Sequence, residues 1–271
     1  MRYAYALCAS ENAGPKEPVL CRDNYIEAMH FAKRLGFGGI EIHVRDAGEV
    51  DGEALKKASQ ETEIQIGGIA SGLAKRIDGL SLVAEDPAQR ARAIQRVKGH
   101  LDLAEIFGCS VVIGSMRDNV PSDDMLPEYL KRLADSVQEL ADYIRGKNCG
   151  ILIEAINRYE NNYLNTAKET VDFIKGNQTD QVKLLLDLYH MNIEARINAQ
   201  AILDSGAYLG HVHISENNRR YPGDGQVDFA SALKALEAID YQGWLSFEYL
   251  PIPSEEEAAR RGLEYMQKLE K

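Results

Sequence analysis

The 271-residue sequence predicts an α/β fold, a single (β/α)₈ or TIM barrel. Three observations support this fold class. Apolar runs typical of buried strands alternate with helical patterns along the whole chain, the alternation repeats eight times, and the length is close to that of one such barrel. No Gly-x-Gly-x-x-Gly string follows the first strand, so a dinucleotide-binding sheet is not indicated. We therefore expect one catalytic domain over residues 1–271.

The elements can be assigned in order along the chain. Apolar runs bounded by turn residues predict strands, and apolar residues repeating every three or four positions predict helices. Asp86 precedes a first-turn proline, and Gly36 and Gly108 follow two helical patterns as left-handed caps do. No helical pattern is visible in 71–85, which we expect to be a long loop. The predicted strands are 3–8, 39–44, 64–70, 109–114, 150–154, 183–188, 208–214 and 243–249, and the predicted helices are 23–35, 52–62, 87–107, 126–146, 166–175, 197–204, 228–239 and 254–269.

Composition and charge limit the function classes. The formal net charge is −11, whereas proteins that bind nucleic acid usually carry a basic surface. Four scattered cysteines without a C-x-x-C pair predict free thiols in a reducing compartment. The first residues lack the pattern of a signal peptide, and no apolar stretch approaches the roughly 20 residues that span a bilayer. We therefore predict a cytoplasmic protein with no nucleic-acid and no membrane partner.

Four polar residues each lie at the end of a separate apolar run. They are Glu154, Asp187, His213 and Glu248, on the fifth to eighth predicted strands. Because the carboxyl ends of the strands converge on one face of a parallel barrel, these side chains would meet there. A single carboxylate at a strand end is more commonly a helix cap or an ion-pair partner, so the interpretation depends on all four coming together.

Three carboxylates and one imidazole suit a single divalent cation. Mn²⁺ is the first candidate, and Mg²⁺, Co²⁺ or Zn²⁺ are alternatives. An octahedral ion with four protein ligands keeps two positions for a substrate carbonyl oxygen and the neighbouring hydroxyl. The ion would polarise the carbonyl and stabilise an enediolate oxygen, so that a carboxylate could remove the adjacent proton.

Sequence strings around the four positions extend this interpretation. They are E-A-I-N-R-Y-E at 154–160, D-L-Y-H-M-N-I-E at 187–194, H-V-H-I-S-E-N-N-R-R-Y-P-G at 211–223 and F-E-Y at 247–249. With these strings, essentially the whole chain resembles the D-tagatose 3-epimerase group of the sugar phosphate isomerase/epimerase superfamily, which has a xylose isomerase-like TIM barrel. The strings V-R-D at 44–46, G-L-S at 79–81 and L-P-I-P at 250–253 are similar to the branch that acts on keto-aldonates, the 5-keto-L-gluconate epimerases.

The resemblance implies roles for individual residues. It implies a metal ligand set of Glu154, Asp187, His213 and Glu248. It also implies that Glu154 and Glu248 act as opposed acid and base groups, which agrees with the chemistry, because inversion needs proton transfer on both faces of a planar intermediate. The substrate-contacting positions that it implies are Glu160, His190 and Arg219.

Two further cations follow predicted strands. Arg45 lies after the second strand and Arg117 after the fourth, so both could face the mouth of the barrel. There they could bind a carboxylate or phosphate of the substrate. The alternative for each is a surface ion pair, for example with Asp46 or Asp118.

The remaining histidines have no predicted chemistry. His211 lies two residues before His213 on the same side of the strand, so it is expected one layer deeper, as a core residue or a partner of the ligands. His30 and His100 fall inside helical patterns and are expected to be structural. His43 ends the second predicted strand, and we assign it no role.

The sequence therefore predicts a metal-dependent epimerase that inverts carbon 3 of a ketose or keto-aldonate and forms a homo-oligomer, a dimer or tetramer. An aldose–ketose or hydroxypyruvate isomerase on the same scaffold remains open, because it differs only in the carbon that regains the proton. An abasic-site endonuclease would need several zinc ions, more histidines and a basic face. A catalytically inactive binding module would be expected to lack one glutamate of the pair, and both are present.

Overall fold

A computed structural model describes residues 3–176 and 180–271, and they form a closed barrel of eight parallel strands. Each strand pairs with its neighbours in sequence, and the last strand closes on the first with Ala4 opposite Trp244. The predicted barrel is thereby confirmed. The strands are β1 Ala4–Ala9, β2 Gly39–His43, β3 Gln65–Ala70, β4 Ser110–Ile113, β5 Gly150–Ala155, β6 Val182–Asp187, β7 Leu209–Ile214 and β8 Trp244–Phe247.

Ten α-helices lie among the described residues, two more than the sequence predicts. The first addition corrects the expectation of a helix-free loop over 71–85, and the second follows the sixth strand without a connecting loop. Asp187 starts that second helix, because its Oδ1 accepts from Tyr189 N at 2.8 Å. The helices are α1 Tyr25–Leu35, α2 Gly52–Thr62, α3 Gly72–Asp78, α4 Pro87–Phe107, α5 Leu126–Tyr143, α6 Ala167–Gly176, α7 Leu188–Glu194, α8 Asn198–Ser205, α9 Phe229–Ala238 and α10 Glu255–Leu269.

The interior of the barrel has an apolar and a polar side. Leu152 on β5 and Leu185 on β6 lie two residues before Glu154 and Asp187 and belong to an apolar cluster within the sheet. On β7 and β8 the corresponding positions hold His211 and Ser246, whose Nε2 and Oγ atoms are 2.8 Å apart. The layer beneath the strand ends is therefore polar on the side of the last two strands.

The buried His100 of α4 makes stability depend on pH. Burial, with the charge of Arg96, lowers the pKa of His100 to about 4, while its Nε2 lies 3.1 Å from Val44 O. The unfolded chain takes up this proton near pH 6.5, so stability falls as pH drops from about 6.5 towards 4. Between pH 7 and pH 4.5, wild type should lose roughly 2–3 kcal/mol more unfolding free energy than His100→Gln in urea titrations. Parallel losses in the two proteins would contradict a buried neutral imidazole.

Candidate active site and metal centre

The four predicted ligands come together at the carboxyl end of the barrel. Glu154 lies in β5, Asp187 ends β6, His213 lies in β7 and Glu248 directly follows β8. Their candidate ligand atoms all lie within 4.8 Å of one another, and all four side chains are buried. One metal ion could therefore contact all four residues.

The orientation of His213 fits a metal ligand. Its Nε2 lies 3.0 Å from Glu41 Oε1, while its Nδ1 points towards the carboxylates, 3.4 Å from Glu248 Oε2 and 4.0 Å from Glu154 Oε1. This Nδ1 atom is buried and has no hydrogen-bond partner. A buried nitrogen without a partner is costly unless something binds it, and a cation that accepts nitrogen and oxygen ligands would do so.

The carboxylates have strongly unequal proton affinities. Burial raises the pKa of Glu154 to about 8, and the charge of Glu248 adds to the effect. Burial also raises the pKa of Asp187, to about 6. For Glu248, the charges of His213 and Arg219 outweigh the effect of burial and hold its pKa well below the usual range. Three buried carboxylates cannot all ionise at low cost, and a bound divalent cation would favour the ionised form of each.

Arg219 contacts the cluster and lines the cavity beside it. Its Nη1 is 2.6 Å from Asp187 Oδ2 and 3.1 Å from Glu248 Oε2, and its guanidinium lies 4.2 Å from the centre of the Tyr189 ring. Its backbone φ is +59°, a conformation that costs a side-chain-bearing residue energy. The fold therefore holds this arginine at the cluster at some cost in strain.

A cavity of about 360 Å³ adjoins the cluster. The predicted substrate-contacting residues line it, and Asn157 links two of them: its Nδ2 lies 2.9 Å from Glu160 Oε1 and 2.6 Å from His190 Nδ1. Burial lowers the pKa of His190 well below its usual value, so the imidazole is neutral. His190 Nε2 lies 3.6 Å from Glu154 Oε1, so both face the same space.

Arg117 does not face the cavity. The side chain is fully buried, and its Nη2 donates to the carbonyl oxygens of Glu154 at 3.0 Å and Leu164 at 3.3 Å. Its Nη1 donates to Tyr163 O and Asn161 Oδ1. The interpretation of Arg117 as a carboxylate-binding residue is therefore corrected. Its two Nη groups donate within the protein and tie the loop after β5 to the end of β4, while its buried Nε has no hydrogen-bond partner.

Arg45 also lies outside the cavity lining. Its Nη2 lies 2.7 Å from Asp78 Oδ1, and its Nη1 lies 3.4 Å from Glu49 Oε1. Arg96 binds the other oxygen of Asp78 at 2.7 Å. The surface ion pair, considered above as the alternative, describes Arg45 correctly, although the main partner is Asp78 rather than Asp46.

Sequence reasoning missed one member of the site, the buried Glu41 of β2. Its carboxylate contacts His213, as described, and its Oε2 lies 2.8 Å from His211 Nε2. The sequence feature that could have identified Glu41 is its position as an acidic residue between Ile40 and Ile42 within a predicted strand. Such a side chain must point into the barrel, because an outward-pointing carboxylate would disrupt the apolar layer between the strands and the helices. It also shares its side of the strand with His43, which lines the cavity.

Two cations at the cavity were also missed, because they lie on the unpredicted helix α3. Lys75 forms an ion pair with Asp118, and Arg76 forms one with Glu17 in the loop after β1. Both line the cavity from the segment that follows β3, whereas Glu160 and His190 line it from the segments that follow β5 and β6.

Comparison with known proteins identifies the family. The family model described as a xylose isomerase-like TIM barrel matches residues 29–269, and the chain belongs to this family. An L-ribulose 3-epimerase from Methylomonas sp. (strain DH-1) is 35% identical over 229 residues, which cover 82% of this chain and 77% of the relative. A 3-dehydro-D-guloside 4-epimerase from Escherichia coli (strain K12) is 29% identical over 247 residues, 87% of this chain and 90% of the relative.

The solved structures agree with these relatives. The crystal structure of a D-allulose 3-epimerase from Methylomonas sp. superimposes with a TM-score of 0.83 at 27% identity, covering 99% of this chain and 100% of the other. The resemblance to the ketose 3-epimerase group that the sequence predicts is confirmed. The chain is an isomerase, and within that class it is an epimerase. Among the described residues, no helix is both long and apolar enough to cross a membrane.

Proposed function

We propose that this enzyme is metal-dependent and inverts carbon 3 of a ketose or keto-aldonate. The observation that carries the proposal is the pair of buried carboxylates, Glu154 and Glu248, which approach the same His213 nitrogen from β5 and β8. Two strands separate them in the barrel order, so they can address a substrate from two sides. Inversion requires this arrangement, because the proton leaves one face of the reacting carbon and returns to the other.

Each residue of the site has a role in this proposal. A cation held by the four ligands, with Mn²⁺ as first candidate and Mg²⁺, Co²⁺ or Zn²⁺ as alternatives, supplies Lewis acidity that makes the proton on carbon 3 more acidic. One glutamate takes that proton and the other returns one to the opposite face. His190, Glu160 and Arg219 bind and orient the hydroxyl groups from the cavity wall. We also propose that the protein is cytoplasmic and forms a dimer or tetramer.

Product analysis tests the proposed reaction. We expect that incubation with Mn²⁺ and a panel containing L-ribulose, D-allulose, D-tagatose, D-fructose and 5-keto-L-gluconate inverts the stereocentre next to the carbonyl in at least one of them. That stereocentre is carbon 3 of the ketoses, and it is carbon 4 of 5-keto-L-gluconate when numbering starts at the carboxylate. Appearance of an aldose would instead support the isomerase on the same scaffold. No turnover of any ketose or keto-aldonate, with metal bound, would reject the proposal.

Lys75 and Arg76 support a keto-aldonate as a second candidate substrate class. They are the cations of the cavity wall that lie away from the metal cluster, and an acidic substrate could exchange for their present carboxylate partners. If the substrate is acidic, Lys75→Gln and Arg76→Gln should each lower kcat/KM for 5-keto-L-gluconate by roughly tenfold or more, since a hydrogen bond to a charged group contributes about 1.5–3 kcal/mol. Turnover of neutral ketoses should change little.

The matched control is Arg45→Gln, which removes a nearby cation that does not line the cavity. It should leave both substrate types unaffected. Equal losses on acidic and neutral substrates in the Lys75 and Arg76 variants would reject the acid-binding wall and leave a neutral ketose as the substrate.

A further inference from the structure

The polar layer beneath the proposed metal centre is organised around one carboxylate. Glu41 is fully buried, and its two oxygens face different imidazoles: Oε1 lies 3.0 Å from His213 Nε2, and Oε2 lies 2.8 Å from His211 Nε2. His43 approaches the same group: its Nε2 lies 3.7 Å from Glu41 Oε1, and the same Nε2 lies 3.8 Å from Glu248 Oε1. A buried carboxylate with three imidazoles around it is an unusual concentration of polar groups for the inside of a barrel.

Local features of the sheet create the space for this carboxylate. The register between β2 and β3 shifts between Ile40 and Glu41, as a β-bulge does when it redirects a side chain. The residue opposite Glu41 on β3 is Gly68. A Cβ atom at Gly68 would lie 3.3 Å from Glu41 Oε2 and 3.4 Å from its Cγ, closer than most carbon contacts. The glycine therefore provides the room in which the carboxylate sits.

The contact with His213 determines which ring nitrogen is available for a metal. To bind a metal ion, His213 must be neutral and carry one N–H, and the carboxylate acceptor at Nε2 favours the proton there. The lone pair is then on Nδ1, which points to Glu154 and Glu248. A carboxylate behind a ligating histidine also makes the nitrogen more basic and fixes the angle of the ring.

We propose that Glu41 is a positioning residue of the metal centre: it holds His213 as an Nδ1 ligand and places a buried negative charge behind it. The inference rests on the proposed metal-dependent function, and it assigns a role to a residue outside the four-ligand set. A purely structural carboxylate would behave differently, because its loss would lower stability without changing the metal affinity of the protein that remains folded.

The test measures Mn²⁺ binding directly, without substrate. Metal-free wild type and Glu41→Gln are titrated with Mn²⁺ by calorimetry, after circular dichroism has shown that both are folded. Glutamine keeps the shape but removes the charge, so we expect the Kd for Mn²⁺ to rise roughly 10–100-fold. The control is His100→Gln, which alters another buried polar side chain that is outside the ligand cluster and should bind Mn²⁺ as wild type does.

Gly68→Ala is the second variant, and it tests the role of Glu41 in metal binding if Glu41→Gln does not fold. It keeps every ionisable group and only displaces the Glu41 carboxylate, so we expect a weaker Mn²⁺ affinity with a smaller change than in Glu41→Gln. Wild-type affinity in folded Glu41→Gln, or in Gly68→Ala when that variant alone folds, would overturn the inference while the metal centre stands. Failure of wild type to bind any divalent cation would overturn the metal centre together with it.

Discussion

Replacing Glu154 or Glu248 by glutamine should lower kcat by several orders of magnitude. Glutamine has nearly the same shape as glutamate but can neither take nor return the proton of carbon 3. A general acid or base contributes roughly 10²–10⁴-fold to a rate, and each of these side chains is also a proposed metal ligand, so the two losses combine. The measurement is kcat for each variant on a substrate that the wild type epimerises, with Mn²⁺ in excess.

A titration with Mn²⁺ distinguishes the loss of proton transfer from the loss of metal binding. If a variant still binds Mn²⁺ but turns over slowly, the missing group acted in proton transfer. The matched control is Glu194→Gln, because Glu194 is a mostly buried carboxylate outside the cluster that pairs with Arg158 at 2.7 Å. It should keep a kcat close to that of wild type. A Glu154→Gln or Glu248→Gln enzyme with near-normal kcat would remove that glutamate from the chemistry.

Exhaustive removal of metal should abolish turnover, and Mn²⁺ or a related divalent cation should restore it. The physical reason is the clustering of three carboxylates and one imidazole nitrogen within 4.8 Å, a set of oxygen and nitrogen donors that suits a divalent cation. Binding should also raise the melting temperature, because a ligand that binds only the folded state stabilises it. At a free Mn²⁺ concentration of about 100 Kd the gain is about 2.7 kcal/mol, or roughly 5–10 °C for a chain of this size.

The melting measurement does not depend on knowing the substrate. Mg²⁺, Co²⁺ and Zn²⁺ should be compared with Mn²⁺ in the same assay, since the ligand set alone does not select among them. Full activity in protein shown to contain no metal would contradict the metal-dependent mechanism.

The strands and the convergence of the four candidate ligands could be predicted because they rest on local patterns. The buried strands are short apolar runs between turn residues, and the observed ends differ from the predicted ones by two residues at most. In a parallel barrel the carboxyl ends of all strands lie on one face, so polar residues at the ends of these runs are brought together there. Helices α3 and α7 were missed because seven residues are too few for a clear helical repeat, and because Asp187 both ends a strand and starts a helix.

The roles of the other polar residues depend on contacts between distant parts of the chain. Glu41 contacts a histidine 172 positions further on, and Arg117 donates to a carbonyl oxygen 46 positions away. The residues next to Glu41 and Arg117 in the sequence do not indicate these partners. The position of Arg117 after a strand was compatible with a cavity or with burial, and only the fold decides between them.

The most direct test of the proposed mechanism is to locate solvent deuterium in the products of turnover in D₂O with Mn²⁺. If Glu154 and Glu248 exchange protons on opposite faces of carbon 3, NMR should find deuterium at carbon 3 of the epimer and at no other carbon. The Glu154→Gln and Glu248→Gln enzymes should lose epimer formation in the same experiment. Deuterium at the carbon next to the carbonyl on its other side would indicate an isomerase, and epimer formed without any deuterium would contradict proton exchange by the two glutamates.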